Sequence, residues 1–269
     1  MLINGVSGDL ISIRDRGLLY GDGVFRTLRS AGGRALHWPL HYQKLQHDCA
    51  TLGITCPDFG RLSAELASLL ADHPDAVLKI IVTRGQGMRG YLPTIDAALT
   101  HIWDVSPLPV YPASYTTDGV TLGLCTLRLS HQPRLAGIKH LNRLENVLAA
   151  AECTDVNEGL LLDIDGFVIE GVRSNLFLIS RGRLITPELS RCGVAGVERD
   201  RVMNYARQID MPVEVRNVEF DELHKADEVF LTNSVFGLWP VARIDNTRWL
   251  KFNGAASLRA GLENGDIDG

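Results

Sequence analysis

A chain of 269 residues suffices for one large or two small domains, and 45% hydrophobic against 22% charged residues is the balance of a globular protein. The formal net charge of −5 argues against a general nucleic-acid binder, which carries a basic stripe. Five cysteines without a CxxC pair point to free thiols in a reduced compartment, not to a disulfide framework, and no metal site is expected.

The N-terminus, Met1-Leu-Ile-Asn-Gly, lacks the basic and apolar regions of a signal peptide, and no window approaches 18 apolar residues. A cytoplasmic protein with no membrane contact is therefore expected. Residues 1–30 alternate short apolar runs with Gly and Asp turns, as short antiparallel strands do. After Pro39, Tyr42, Leu45, Cys49 and Leu52 form one apolar stripe at helical spacing; Phe59, Leu62, Leu66, Leu69 and Leu70 form a second. A β-rich run at 77–83 ends in the Gly-rich 84–90, and another strand surrounds 102–105. Three prolines within 106–112 mark a linker, because proline suits neither helix nor central strand.

Beyond the linker, a strand is expected near 120–129 and a helix over 139–152 with Leu141, Leu144, Leu148 and Ala151 on one face. Residues 160–170 read as a hairpin with a type I′ turn at Asp165-Gly166. Short strands at 175–179 and 183–185 precede the loop Gly193-Val-Ala-Gly196 and a helix carrying Val202, Met203, Ala206 and Ile209 on one stripe. Strands at 213–218, 228–231 and up to about 244 follow, and the Gly- and Ala-rich tail from Asn253 is expected to fray. The domain reading is a small α/β domain over 1–110, a linker over 106–118 and a larger β-rich domain over 119–269.

Lysine is scarce: Lys44, Lys79, Lys139, Lys225 and Lys251 are the whole set, and arginine supplies the other basic residues. Lys79 interrupts an apolar strand and could lie at a sheet edge. Lys139 follows Gly-Ile at the expected helix start, where an amine could project from a rigid element and, once deprotonated, form a Schiff base with an aldehyde. A solvated surface charge is the other reading. Glu170, on the strand after Asp-Gly, could hold a pyridine nitrogen protonated, because a nearby negative charge favours the cation; an edge-strand surface glutamate fits the pattern too. The glycines before the helix at Val197 would let backbone N–H groups and the helix dipole receive a phosphate, or merely serve a turn. Thr232-Asn233-Ser234 could donate to a phosphate or cap a turn.

Three strings carry a resemblance over roughly residues 2–245: Tyr20-Gly-Asp-Gly-Val-Phe25 with Thr27, Ala136-Gly-Ile-Lys-His-Leu-Asn-Arg-Leu-Glu145, and Glu170-Gly-Val-Arg-Ser-Asn-Leu-Phe177. With them the chain resembles the class-IV aminotransferase-like, fold-type IV family of pyridoxal-5′-phosphate (PLP) enzymes. The string after Lys139, and Arg89-Gly-Tyr91 after Thr83-Arg-Gly85, are similar to its lyase branch. The resemblance implies a two-domain α+β or α/β subunit, like D-amino acid aminotransferase, with PLP between the domains, assembled as a homodimer. Lys139 would be the Schiff-base lysine and proton-transfer base, and Glu170 the partner of the pyridinium nitrogen. Ser174, Asn175, the backbone at Val197 and Glu198, and Asn233 with Ser234 would complete the cofactor site. Lys44 stands where the family usually has arginine as its phosphate cation, and lysine lacks the bidentate fork. Phe25, Thr27, Arg84, Arg89 and Tyr91 would meet the substrate, the two arginines facing its carboxylates. The implied reaction turns 4-amino-4-deoxychorismate into 4-aminobenzoate and pyruvate, a carbon–oxygen lyase step of folate biosynthesis. A branched-chain or D-amino acid aminotransferase is the alternative, and a PLP-binding protein without turnover is a third reading.

Overall fold

The computed structural model of the chain describes residues 1–93 and 98–267. It packs as two units: Met1–Pro109 together with Ile138–Asn142, and Val110–Gly137 together with Arg143–Gly269.

The first unit runs β1 (Leu2–Ile3), β2 (Val6–Ser7), α1 (Arg16–Tyr20), β3 (Gly23–Ala31), β4 (Arg34–Ala35), α2 (Trp38–Leu52), α3 (Phe59–Asp72), β5 (Ala76–Thr83) and β6 (Thr100–Pro107). Its sheet has the order β2-β1-β6-β5-β3-β4, so β5 is an interior strand. Alternation along the strands separates two faces. Val24 and Leu28 of β3, Leu78, Ile80 and Val82 of β5, and Trp103 of β6 are buried in one core with the helical stripes Leu45-Cys49 and Leu62-Leu66-Leu69-Leu70. Each such leucine or isoleucine contributes roughly 2 kcal/mol by leaving water. Helix α2 starts with Pro39 in its first turn and stops at Gly53, whose φ of 63° is left-handed; α3 is capped by Asp58, which accepts the Arg61 N–H at 3.0 Å. The opposite face of the sheet presents Phe25, Thr27, Lys79 and Ile81, all half-buried.

The second unit runs α4 (Ser114–Thr117), β7 (Val120–Leu129), α5 (Leu144–Glu152), β8 (Glu158–Asp163), β9 (Val168–Gly171), β10 (Asn175–Ser180), β11 (Arg183–Pro187), α6 (Val197–Gln208), β12 (Val213–Arg216), α7 (Phe220–Leu223), β13 (Glu228–Asn233), β14 (Gly237–Ile244), β15 (Thr247–Arg248) and α8 (Asn253–Ile267). The sheet order is β12-β11-β10-β13-β14-β7-β8-β9, and β9 also pairs with β10 at Glu170↔Asn175. That pairing closes six strands into a barrel, so β9 has no free edge. Strand β10 is buried on both faces: Leu176 and Leu178 enter one core, Phe177 and Ile179 another that α6 and α8 share.

Five expectations are corrected. Residues 139–143 are not helical, and α5 begins at Leu144. The Lys139 carbonyl accepts the Phe25 N–H and the Leu141 N–H donates to Gly23, both at 2.9 Å, so strand-type pairing with β3 takes the groups a helix would need. For the same reason the lysine packs with the first unit, and the expected domain border at 106–118 is crossed again at Ile138. Leu144 and Leu148 of α5, expected to face a core, are 75% and 59% exposed. In the hairpin at 160–170 Gly166 has φ of 88° while Asp165 stays at negative φ, so the turn is not type I′. Asp163 caps it, accepting the N–H groups of Asp165 and Phe167 at 3.1 and 2.9 Å. The type I′ geometry lies at Arg181-Gly182, whose φ values are 49° and 74°. The tail does not fray: Ala255, Leu258 and Leu262 of α8 enter a core, and buried Glu228 accepts the N–H groups of Gly254 and Ala255 at 2.8 Å each. Residues 268–269 lie outside the described residues.

Candidate active site

In the first unit the site begins with Lys139. Its main chain is held on both sides, by β3 through its carbonyl and by the Asp48 carboxylate through its N–H at 3.2 Å. The amine lies 4.8 Å from the centre of the Phe25 ring, and a second amine, Lys79, stands at the same distance from that ring. Lys79 is opposite Thr27 across β3 and β5, with Asp104 on its other flank in β6 and no ion pair formed between them. Two lysines, a phenyl ring and a hydroxyl therefore share one half-buried sheet face. The sequence reading missed Lys79 because it allowed β5 to be an edge, where a lysine is ordinary; in an interior strand a half-buried lysine with no carboxylate partner among the described residues is not.

Arg84, expected to face a substrate carboxylate, is engaged within the fold. Its guanidinium donates to both Asp22 oxygens, at 2.8 and 3.0 Å, and to the carbonyls of Leu52 and Gly53, at 2.7 and 2.8 Å, closing the C-terminal end of α2. Asp22 also receives Arg16 at 2.8 Å. Burial works to raise the Asp22 carboxyl, but hydrogen bonds and charge from Arg84 and Arg16 outweigh it and hold it below the usual carboxylate range. Arg16 in turn grips the carbonyls of Gly90 and Tyr91 at 3.0 and 2.7 Å, so this charged cluster braces the loop bearing Arg89 and Tyr91. Arg89 is exposed; Tyr91 is 85% exposed, with its ring edge-on to Tyr20 at 5.4 Å. Lys44 is half-buried on α2, four residues before buried Asp48 and hence on the same helix face.

In the second unit Glu170 is 4% exposed, paired on both sides in β9, and accepts the Val194 N–H at 2.8 Å. It is thus an interior carboxylate and not an edge glutamate. Buried Arg199, in the first turn of α6, lies within electrostatic reach of it and was not singled out in the sequence. Asn175 shapes the turn ahead of α6: its amide donates to the Val194 carbonyl at 2.7 Å and its oxygen accepts the Gly196 N–H at 3.1 Å. A Cβ at Gly196 would run into that oxygen, so only glycine fits. Glu198 is buried and paired with Arg201 at 2.7 Å, leaving the backbone at Val197 and Glu198 as the anion-facing feature. The Asn233 oxygen caps its own turn, accepting Val235 and Phe236 N–H groups at 2.9 Å each; Ser234 is half-buried. The hydroxyls of Ser174 and of Thr232, the cross-strand neighbour of Asn175, are buried without a hydrogen-bond partner among the described residues. An unmet buried hydroxyl costs about 1–3 kcal/mol, so these two donors suit an absent anionic ligand. His131, Asp163 and Cys192 bring ligand atoms within 4.8 Å of one another, but Asp163 is already paired with His131 at 2.9 Å and Arg191 at 3.2 Å.

Taken unit by unit, the first holds a lysine whose main chain is pinned at both groups, and the second holds an interior carboxylate, a glycine-shaped turn ahead of a helix and two unmet hydroxyls of the kind a phosphorylated pyridine would need. The family model described as amino-transferase class IV matches residues 23–244, and the chain belongs to that family. It is 36% identical over 245 residues to aminodeoxychorismate lyase of Vibrio harveyi, covering 90% of each chain. The crystal structure of 4-amino-4-deoxychorismate lyase from Pseudomonas aeruginosa superposes with a TM-score of 0.94 at 44% identity, covering 98% of each chain. A putative branched-chain-amino-acid aminotransferase of Methanocaldococcus jannaschii is 31% identical over 240 residues, covering 87% of this chain and 83% of its own.

Proposed function

We propose that the chain is a PLP-dependent carbon–oxygen lyase that converts 4-amino-4-deoxychorismate to 4-aminobenzoate and pyruvate, a folate precursor step. The observation that carries the reading is Lys139, clamped through both main-chain groups with its amine at the Phe25 ring beside a second cation. The likeness to two lyases over at least 90% of the chain selects the reaction.

PLP, when bound, supplies an aldehyde that condenses with amines and a ring that accepts an electron pair. Lys139 would hold the aldehyde and, with its amine free, would be the base that takes the proton from the amine-bearing ring carbon of the substrate. Glu170 would favour a protonated pyridine nitrogen. The turn before α6, the Ser174 and Thr232 hydroxyls and Ser234 would receive the phosphate, and Lys44 would supply a neutralising charge. Asn175 and Asn233 hold the two loops in shape. The adjacent C–O bond then breaks; the enolpyruvyl group leaves and takes a proton to become pyruvate, and the ring aromatises. Lys79 and Arg89 meet the substrate carboxylates, Thr27 and Tyr91 offer hydroxyls, and Phe25 forms the wall.

This division of cations predicts a contrast. Lys79→Met should raise KM for aminodeoxychorismate about 10–100-fold, the worth of a charge-assisted hydrogen bond, with little change in Tm. Arg84→Met should instead lower the unfolding free energy by roughly 2–3 kcal/mol, because it removes the donor to one Asp22 oxygen and to two carbonyls, with Arg16 left as the partner of the other oxygen. Thermal unfolding and steady-state kinetics of the two variants separate the roles.

The decisive assay is release of 4-aminobenzoate and pyruvate from aminodeoxychorismate by purified enzyme without any 2-oxo acid. Strict dependence on a 2-oxo acid would favour the aminotransferase reading, which the Methanocaldococcus jannaschii relative supports. A homodimer is part of the proposal: Leu144, Val147 and Leu148 expose 59–75% of their surface on one face of α5, an apolar patch suited to a second copy. A cytoplasmic location accords with the five free cysteines, and no described helix is long and apolar enough to cross a membrane.

A further inference from the structure

We propose that Asp48 is the positioning residue of Lys139: its buried carboxylate fixes the lysine main chain so that the amine meets the Phe25 ring. The proposal rests on Lys139 being the Schiff-base lysine.

Asp48 is 0% exposed on α2, and its Oδ2 receives both the Arg26 guanidinium and the Lys139 N–H. Its Oδ1 has no partner among the described residues, so both contacts converge on one oxygen. Adjacent residues of β3 divide the work by strand alternation. Phe25 points to the open face and meets the amine, while Arg26, 2% exposed, points to the helix side and holds the carboxylate. The Lys139 backbone lies along the end of β3, bonded to Phe25 by its carbonyl and to Asp48 by its N–H. Together these contacts fix φ and ψ of the residue that must deliver the amine, where a helix start would have left its N–H unmatched.

An ion pair kept only to join α2 to β3 would need no contact with Lys139. Apolar residues of similar volume would make that junction equally well, because burying an ionised carboxylate is costly. Burial indeed pushes the Asp48 carboxyl up, against the charge of Arg26 and the Lys139 N–H. A shift of about 1 Å in a reacting group costs up to ~10²-fold in rate, which is the scale a positioning contact can command.

The test uses the full-length, PLP-saturated enzyme with Asp48→Ala and Asp48→Asn. The readouts are kcat and KM, visible circular dichroism of the lysine-bound cofactor, borohydride trapping, and amide exchange of the peptide containing Lys139. Asp48→Ala is expected to lower kcat per trapped lysine about 10–100-fold with KM changed less than about 3-fold. Its dichroic band should weaken and the Lys139 amide should exchange faster. Asp48→Asn keeps an acceptor oxygen without the charge and should lose only about 5-fold. A lowered Tm with kcat per trapped lysine and dichroism unchanged would overturn the proposal and leave Asp48 a stabilising residue. Should Asp48→Ala not fold, Asp48→Asn decides, since wild-type exchange and rate there overturn it equally. Trapping on another residue in the wild-type enzyme would instead strike the parent reading, whereas exchange at Lys139 in the cofactor-free chain reports on Asp48 alone.

Discussion

Lys139→Ala is expected to abolish turnover, by at least ~10³-fold, and to remove the borohydride-reducible link between chain and cofactor. A positioned base alone contributes about 10²–10⁴-fold, and this residue also carries the covalent attachment. The demanding part of the prediction concerns Lys79, whose amine is as close to the Phe25 ring as that of Lys139. Only Lys139 has its main chain pinned beside that ring by Asp48 while it also extends the edge of β3; Lys79 sits in the middle of a strand ladder that sends its side chain to a fixed spot in the sheet. Reduction with borohydride followed by peptide mapping should therefore find the tag on Lys139 in the native enzyme and on no lysine in the variant. A tag on Lys79 in the native enzyme would exchange the roles of the two amines.

Glu170→Gln is the second large effect expected, and it separates charge from shape. Glutamine retains an oxygen for the Val194 N–H, which Glu170 accepts at 2.8 Å, so the turn ahead of α6 should keep its form. What is lost is the negative charge that favours a protonated pyridine nitrogen. An opposite charge within about 4–6 Å shifts such a pKa by roughly 1–3 units, and each unit is worth about 1.4 kcal/mol. A fall in kcat of about 10–10³-fold follows, with the amount of trapped cofactor within about 2-fold of native. Single-turnover formation of 4-aminobenzoate, compared with trapping yield, measures it. An unchanged rate would mean that the ring nitrogen is held by another group.

Both predictions concern residues legible in the sequence. The Lys-His-Leu-Asn-Arg-Leu-Glu and Glu-Gly-Val-Arg-Ser-Asn strings single out Lys139 and Glu170, and the hydrophobic periods at 42–52 and 59–70 mark α2 and α3 within a few residues. Those signals are local, because a 3.6-residue or 2-residue repeat is imposed by an element's own geometry. The sequence misled where a distant partner competes. Residues 139–143 carry a helical pattern, yet β3 and Asp48 claim their backbone groups first. Asn253 onward looks frayed by composition, yet Glu228 caps α8 from another strand.

The cations show the same division most clearly. Their number and order are sequence facts, and so was the inference that substrate carboxylates need some of them. Which ones are free is not, because a guanidinium is engaged or available only by virtue of what folds beside it. Arg84 is bound by Asp22 and the end of α2, whereas Lys79 is carried by an interior strand onto the face that bears Lys139. The amino-acid order by itself determined the family and most of the elements, and it put forward Lys139 as the candidate amine. Tertiary structure alone decided which charges are neutralised internally and which stay available, since that depends on contacts between residues dozens of positions apart.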